Sequence, residues 1–171
     1  MGDLSADRQE HCEPLVVGAK HCEPEGGYME DKYLKLISEA FEVRKHAYTP
    51  YSHFKVGAAL LCKDGKVYEG CNIENGAYSP SICAERVAFV EAVKKGEREF
   101  EAIAIVTGPE DAEIFEMGSP CGVCRQFMSE FCEDDFKIIM TKMGNDGTLI
   151  ESKIFTMNEI LPERFKLKEL C

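Results

Sequence analysis

Apolar residues recur along this chain in two rhythms, one helical and one alternating or continuous. Over Met29–Ala47, Tyr33, Leu34, Leu36, Ile37, Ala40, Phe41 and Val43 fall at three- and four-residue spacing with charges between them, which predicts an amphipathic helix. The turn Tyr48-Thr49-Pro50-Tyr51-Ser52 ends it. Phe54–Cys62 and Lys66–Ile73 then read as two strands of a hairpin joined at Lys63-Asp64-Gly65. Ser79-Pro80-Ser81 precedes a helix predicted over Ile82–Lys95, with Ser81 as its cap, and Ala102–Thr107 is a short β-branched strand of the fully buried kind. Past Ser119-Pro120 the pattern gives a helix at about Cys121–Cys132, a strand over Phe136–Thr141, the turn Gly144-Asn145-Asp146-Gly147 and a strand near Leu149–Ile154. A last short helix is expected to begin near Pro162, since proline suits a first helical turn. Two helix-then-strand units behind a hairpin predict a three-layer α/β/α sandwich on a mixed five-stranded sheet.

No internal boundary interrupts residues 29–171, which are expected to form a single domain. Residues 1–28 differ. They carry the tetrapeptide HCEP twice, at His11–Pro14 and His21–Pro24, among Gly, Asp and Glu without periodicity, and are expected to be a disordered extension.

Composition narrows the function classes. With 44% hydrophobic and 9% aromatic residues, the 171-residue chain reads as a globular protein. Its formal charge of -11 argues against a nucleic-acid partner, because such affinity rests on Lys and Arg meeting phosphates. No apolar run approaches the roughly 20 residues of a membrane span and no signal peptide opens the chain, so no membrane partner and a cytoplasmic address, compatible with entry to the nucleus, are expected. Nine cysteines, an odd number without regular disulfide spacing, point to thiols or metal ligands.

Three of those cysteines carry chemistry. Cys83-Ala84-Glu85 stands at the start of one predicted helix and Pro120-Cys121-Gly122-Val123-Cys124 at the start of another. A helix N-terminus favours thiolate over thiol, and a Cys-x-x-Cys in a first turn can aim both sulfurs at one point. With Cys83 that makes three ligands and no fourth Cys or His nearby, the open coordination of a catalytic rather than a structural zinc, one ion per subunit. Glu85 is then placed to face the metal site without ligating and to move protons. Three thiolates leave Zn²⁺ with net charge near -1, and Arg86 and Arg125, each following a cysteine motif, are candidates to donate to the sulfurs and offset it. A redox Cys-x-x-Cys explains neither Cys83 nor Glu85, and Cys62, Cys71, Cys132 and Cys171 read as small hydrophobes or surface thiols.

The two motifs match the signature of zinc-dependent deaminases. Together with Tyr51-Ser52-His53-Phe54-Lys55-Val56-Gly57, Gly70-Cys71-Asn72-Ile73-Glu74-Asn75 and Ser119-Pro120-Cys121-Gly122-Val123-Cys124-Arg125-Gln126, they resemble the small homotetrameric cytidine deaminases from about Tyr28 to the C-terminus. The resemblance implies hydrolytic deamination of cytidine and deoxycytidine, with Glu85 carrying protons to N3 and to the departing amine. It implies that Asn72 and Glu74 hold the ribose 3′-hydroxyl, that Phe54 packs on the base, and that the Ala84 N–H binds the base carbonyl. It also implies a homotetramer whose sites borrow Tyr78 and Phe165 across subunits, and it sets Gln126 beside Arg125 in the surroundings of the metal.

From the residues alone, Phe54 reads first as a core residue of its strand, and only the motif reverses that reading. Glu74 near the sugar disfavours a 5′-phosphate or a polynucleotide, which ranks a nucleoside above a deoxycytidylate or nucleic-acid substrate. Deamination of a cytosine-bearing antibiotic such as blasticidin S is the rival within the same zinc chemistry, and a zinc-stabilised binding module is the rival outside catalysis. After Phe165 the chain reads Lys166-Leu167-Lys168 where the resembling family carries Gly-Pro.

Overall fold

In the computed structural model, which describes residues 29–167, the chain runs α1 (Asp31–Arg44), β1 (Phe54–Cys62), β2 (Val67–Cys71), α2 (Ala84–Lys94), β3 (Phe100–Pro109), β4 (Ile114–Phe115), α3 (Gly122–Ser129), β5 (Lys137–Gly144), β6 (Leu149–Thr156) and α4 (Met157–Ile160). The HCEP repeats and the expected disordered extension lie outside the described residues. No helix among the described residues is long and apolar enough to cross a membrane.

The strands join in the order β2-β1-β3-β5-β4, with β6 on β5. β3 and β5 run parallel and the other pairs antiparallel, so the sheet is mixed. It has six strands, not the expected five. The sixth, β4, is two residues long, pairing Ile114 with Gly144 and Phe115 with Met143, too short to leave a periodic signal.

Side chains alternate across the sheet and both faces are covered. Ala58, Leu60 and Cys62 of β1, with Ile103 and Ile105 of β3, pack under α2 and Met128 of α3. Ala59, Leu61, Ala102, Ala104 and Val106 face the other way, onto Tyr33, Leu36, Ile37 and Ala40 of α1. A strand buried on both sides reads as a continuous apolar run, which is why periodicity found β1 and β3. Two glycines set how close the helices lie. A Cβ on Gly57 would sit 2.0 Å from the Ala40 carbonyl, and one on Gly70 would sit 2.4 Å from both the Ala84 carbonyl and the Ala88 nitrogen. The backbones of α1 and α2 therefore rest directly on β1 and β2.

Two helix starts differ from expectation. Ile82 exchanges backbone hydrogen bonds with Ile73, so α2 cannot begin until Ala84 and Cys83 becomes its N-cap. Ser81 does not cap the helix, since its hydroxyl accepts from the Asn75 N–H instead. The final helix begins at Met157 rather than near Pro162, because Thr156 and Glu159 form a reciprocal capping box.

Candidate active site

The N-caps of α2 and α3 are both cysteines, Cys83 and Cys121, and neither side chain makes a capping hydrogen bond. Their sulfurs are free to turn toward each other, 3.9 Å apart, while Cys124 one turn into α3 brings its sulfur 3.5 Å from that of Cys121. These separations are far too long for disulfides. They fit a tetrahedral zinc–thiolate site, whose Zn–S bonds set sulfur–sulfur edges of about 3.8 Å. Cys62, Asp64 and Glu97 also cluster within 4.8 Å. There the Lys66 ammonium already stands 2.7 Å from each carboxylate, and burial pushes the Cys62 thiol up to about 11, leaving a protonated sulfur beside an occupied cation seat.

Electrostatics set Cys83 and Cys124 apart. The Cys83 thiol is held down to about 5, first by its hydrogen bond with Cys124 and next, against burial, by Arg86. Cys124 moves the opposite way, pushed up by Cys83 and by burial. Arg86 Nη2 lies 3.7 Å from the Cys83 sulfur and 3.4 Å from the Ser81 carbonyl, and its buried Nε has no hydrogen-bond partner among the described residues.

Glu85 is 4% exposed on the first turn of α2. Desolvation raises its pKa, and the neighbouring Cys83 charge adds to the rise. It borders a cavity of about 600 Å³, a size suited to a small molecule, together with Cys83, Cys121, Phe54, Asn72 and Glu74. A buried carboxylate that resists ionisation, lining the same cavity as two of the three clustered cysteines, is equipped to take up and return a proton.

The profile described as the cytidine and deoxycytidylate deaminase zinc-binding region matches residues 30–140. The chain belongs to that zinc-binding deaminase family. It is 46% identical over 136 residues, 80% of this chain and 93% of the relative, to a cytidine deaminase of Sporosarcina psychrophila. It is 30% identical over 135 residues, 77% of this chain and 91% of the relative, to a blasticidin-S deaminase of Bacillus cereus. The 1.6 Å crystal structure of cytidine deaminase from Burkholderia pseudomallei aligns with a TM-score of 0.67 at 37% identity, covering 80% of this chain and 100% of that one. The α/β fold is accordingly that of the deaminases, and the family's cofactor is zinc.

Within this deaminase the anticipated residues divide. Phe54 is 42% exposed, its ring bordering the cavity rather than filling the core. The Asn72 amide donates to the Phe54 carbonyl at 2.9 Å and accepts from the Val56 N–H at 2.8 Å, so it builds the wall as well as facing the cavity. Glu74 accepts from the Tyr51 and Ser52 amides at 3.0 and 3.2 Å. Tyr78, at φ 58° and 76% exposed, stands at the mouth with its ring 6.2 Å from that of Tyr51. Ala84 occupies the first position of α2, where an N–H has no intrahelical acceptor.

Arg125 and Gln126 are not where sequence adjacency put them. Arg125 gives its donors to the Pro120 and Ile160 carbonyls, each at 2.8 Å, and to the Ser119 hydroxyl, so it braces the α3 approach instead of meeting a sulfur. Gln126 bonds Ser129 and the Phe165 carbonyl, 3.2 and 3.1 Å away, and Phe165 itself is 63% exposed and does not line the cavity. Thr107 and Ser81, which do line it, escaped the sequence reading: Thr107 read as an ordinary strand end and Ser81 as a cap.

Proposed function

We propose that this deaminase hydrolyses the exocyclic amino group of cytidine and deoxycytidine, giving uridine or deoxyuridine and ammonia, as part of cytoplasmic pyrimidine salvage. The observation that carries the reading is the buried Glu85 lining one cavity with Cys83 and Cys121 of the three-cysteine cluster. Cys83, Cys121 and Cys124 would hold the zinc, which would supply Lewis acidity toward water. Glu85 accepts the first proton of the attacking water and delivers it to the ring N3 as the C4–O bond forms. It then takes the proton of the new C4 hydroxyl and passes it to the amine as the C4–N bond breaks, leaving the C4 carbonyl and ammonia. Arg86 offsets the thiolate charge through its contact with Cys83. Phe54 packs on the base, the Ala84 N–H donates to the base carbonyl, and Asn72 and Glu74 hold the ribose.

Glu74 accepts two backbone hydrogen bonds at the cavity edge, and its carboxylate is held below the usual range first by the Ser52 hydroxyl. A fixed anion there opposes a 5′-phosphate, which favours nucleosides. The working form in this reading is a homotetramer, with Tyr78 and Phe165 reaching a neighbour's site. Their exposure, 76% and 63%, supports that reading.

Loss of cytidine absorbance tests the proposal. The purified protein should deaminate cytidine faster than cytidine monophosphate, and Glu85→Gln should keep its zinc yet lose a factor of about 10³ in kcat. Faster turnover of the monophosphate, or an active Glu85→Gln, would sink it.

A further inference from the structure

Arg44 ends α1 with its guanidinium turned inward, 5% exposed. Its acceptors are all backbone carbonyls: Nε donates to Lys55 at 3.2 Å, and Nη2 to Gly108 at 2.7 Å and Pro109 at 2.8 Å. The guanidinium carbon lies 3.7 Å from the centre of the Phe115 ring.

The register of β1 on β3 places these contacts at the strand end. Phe54 pairs with Pro109 and Lys55 with Gly108. The main-chain ladder runs on past this pair, since the Glu110 N–H donates to the His53 carbonyl at 2.8 Å. Asn72 takes up the Phe54 carbonyl from one side. Arg44 gathers the carbonyls of Lys55, Gly108 and Pro109 from the other. The strand end is therefore fastened by two side chains in addition to its main-chain pairing. That end matters because Phe54 and Thr107, one residue either side of the Arg44 contacts, both line the cavity. Phe115, beneath the guanidinium, begins the approach to Cys121, and the Thr107 hydroxyl donates to the Glu116 carbonyl at 3.1 Å on the same approach.

We propose that Arg44 is a positioning residue for substrate binding: without touching the nucleoside, it fixes the cavity wall formed by Phe54 and Thr107 by clamping the ends of β1 and β3 over Phe115. This rests on the deaminase reading above. Lysine keeps the charge but lacks the planar fork that spans three carbonyls and stacks on a ring.

The test compares Arg44→Lys with wild type in cytidine kinetics, zinc content and amide hydrogen exchange, with Leu36→Val as a core substitution in the same helix. Arg44→Lys should keep its zinc and a kcat within about threefold, raise KM about tenfold, and speed exchange over residues 54–56 and 107–111. Phe115→Leu, which removes the ring but keeps bulk, should raise KM in the same direction, and it decides the matter if Arg44→Lys does not fold. Unchanged KM or unchanged exchange in a folded variant overturns the proposal. So does an equal rise in KM for Leu36→Val at an equal loss of melting temperature. A wild-type protein inactive on cytidine refutes the substrate reading instead, and the exchange data then judge the clamp alone.

Discussion

Glu74 joins the turn before β1 to the segment after β2. Its carboxylate is depressed first by the Ser52 hydroxyl and then by the Tyr51 and Ser52 amides, so these contacts stabilise the fold only while it is ionised. A depressed folded-state pKa contributes stability that is complete above the unfolded value, here 4.5, and is lost as pH falls through the folded value. Glu74→Gln should therefore melt below wild type at neutral pH, with the gap closing under strongly acid conditions. A gap constant across a series of melts from pH 7 to pH 3 would refute the coupling. Residues of this kind were legible to different depths. Cys83, Cys121, Cys124 and Glu85 were readable because spacing at helix starts leaves their side chains little choice. Arg125 was not, since adjacency to Cys124 says nothing about which way a long guanidinium turns, and three acceptors on the α3 approach and at Ile160 turn it away. Arg44 was invisible because its acceptors are carbonyls, which no side-chain motif announces.

At the scale of elements, the metal site is two helix N-termini brought together, and Gly70 sets the position of one of them. The Ala84 carbonyl and Ala88 nitrogen stand 2.4 Å from where a Gly70 Cβ would be, and backbone atoms cannot swing aside as a side chain can. Gly70→Ala must push α2 off β2 and carry Cys83 away from Cys121. The expected result is a loss of about 1–3 kcal/mol in denaturant unfolding together with weaker zinc retention against a chelator. Stability loss without zinc loss would mean that Cys83 follows the metal independently of its helix. All strands but β4 and the helix α1 were readable from periodicity, but the starts of α2 and α4 were not, because side-chain periodicity does not show the local contacts that set them. The Ile73–Ile82 bridge holds the start of α2 back to Ala84, and the capping box draws α4 forward to Met157. Thr156-Met157-Asn158-Glu159 did carry that second signal in the sequence.

For the whole molecule, Tyr78 and Phe165 belong to no core of a single chain: one stands at the cavity mouth and the other away from the cavity. Both make sense if copies of the chain complete one another, a relation that a sequence can carry only as side chains with nothing to pack on. Mixing experiments separate this from a role within one chain. Glu85→Gln and Phe165→Ala should each be nearly inactive alone. If Phe165 serves its own chain, every site in a mixture contains one defect or the other and no activity returns. If Phe165 serves a neighbour, some sites combine an intact Glu85 from a Phe165→Ala chain with an intact Phe165 from a Glu85→Gln chain. Random assembly from equal amounts in a symmetric oligomer makes about one quarter of the sites whole. Co-refolding the two variants should therefore recover about a quarter of wild-type turnover per site, while mixing them without subunit exchange should recover none. Equal inactivity in both mixtures would return Phe165 to its own chain.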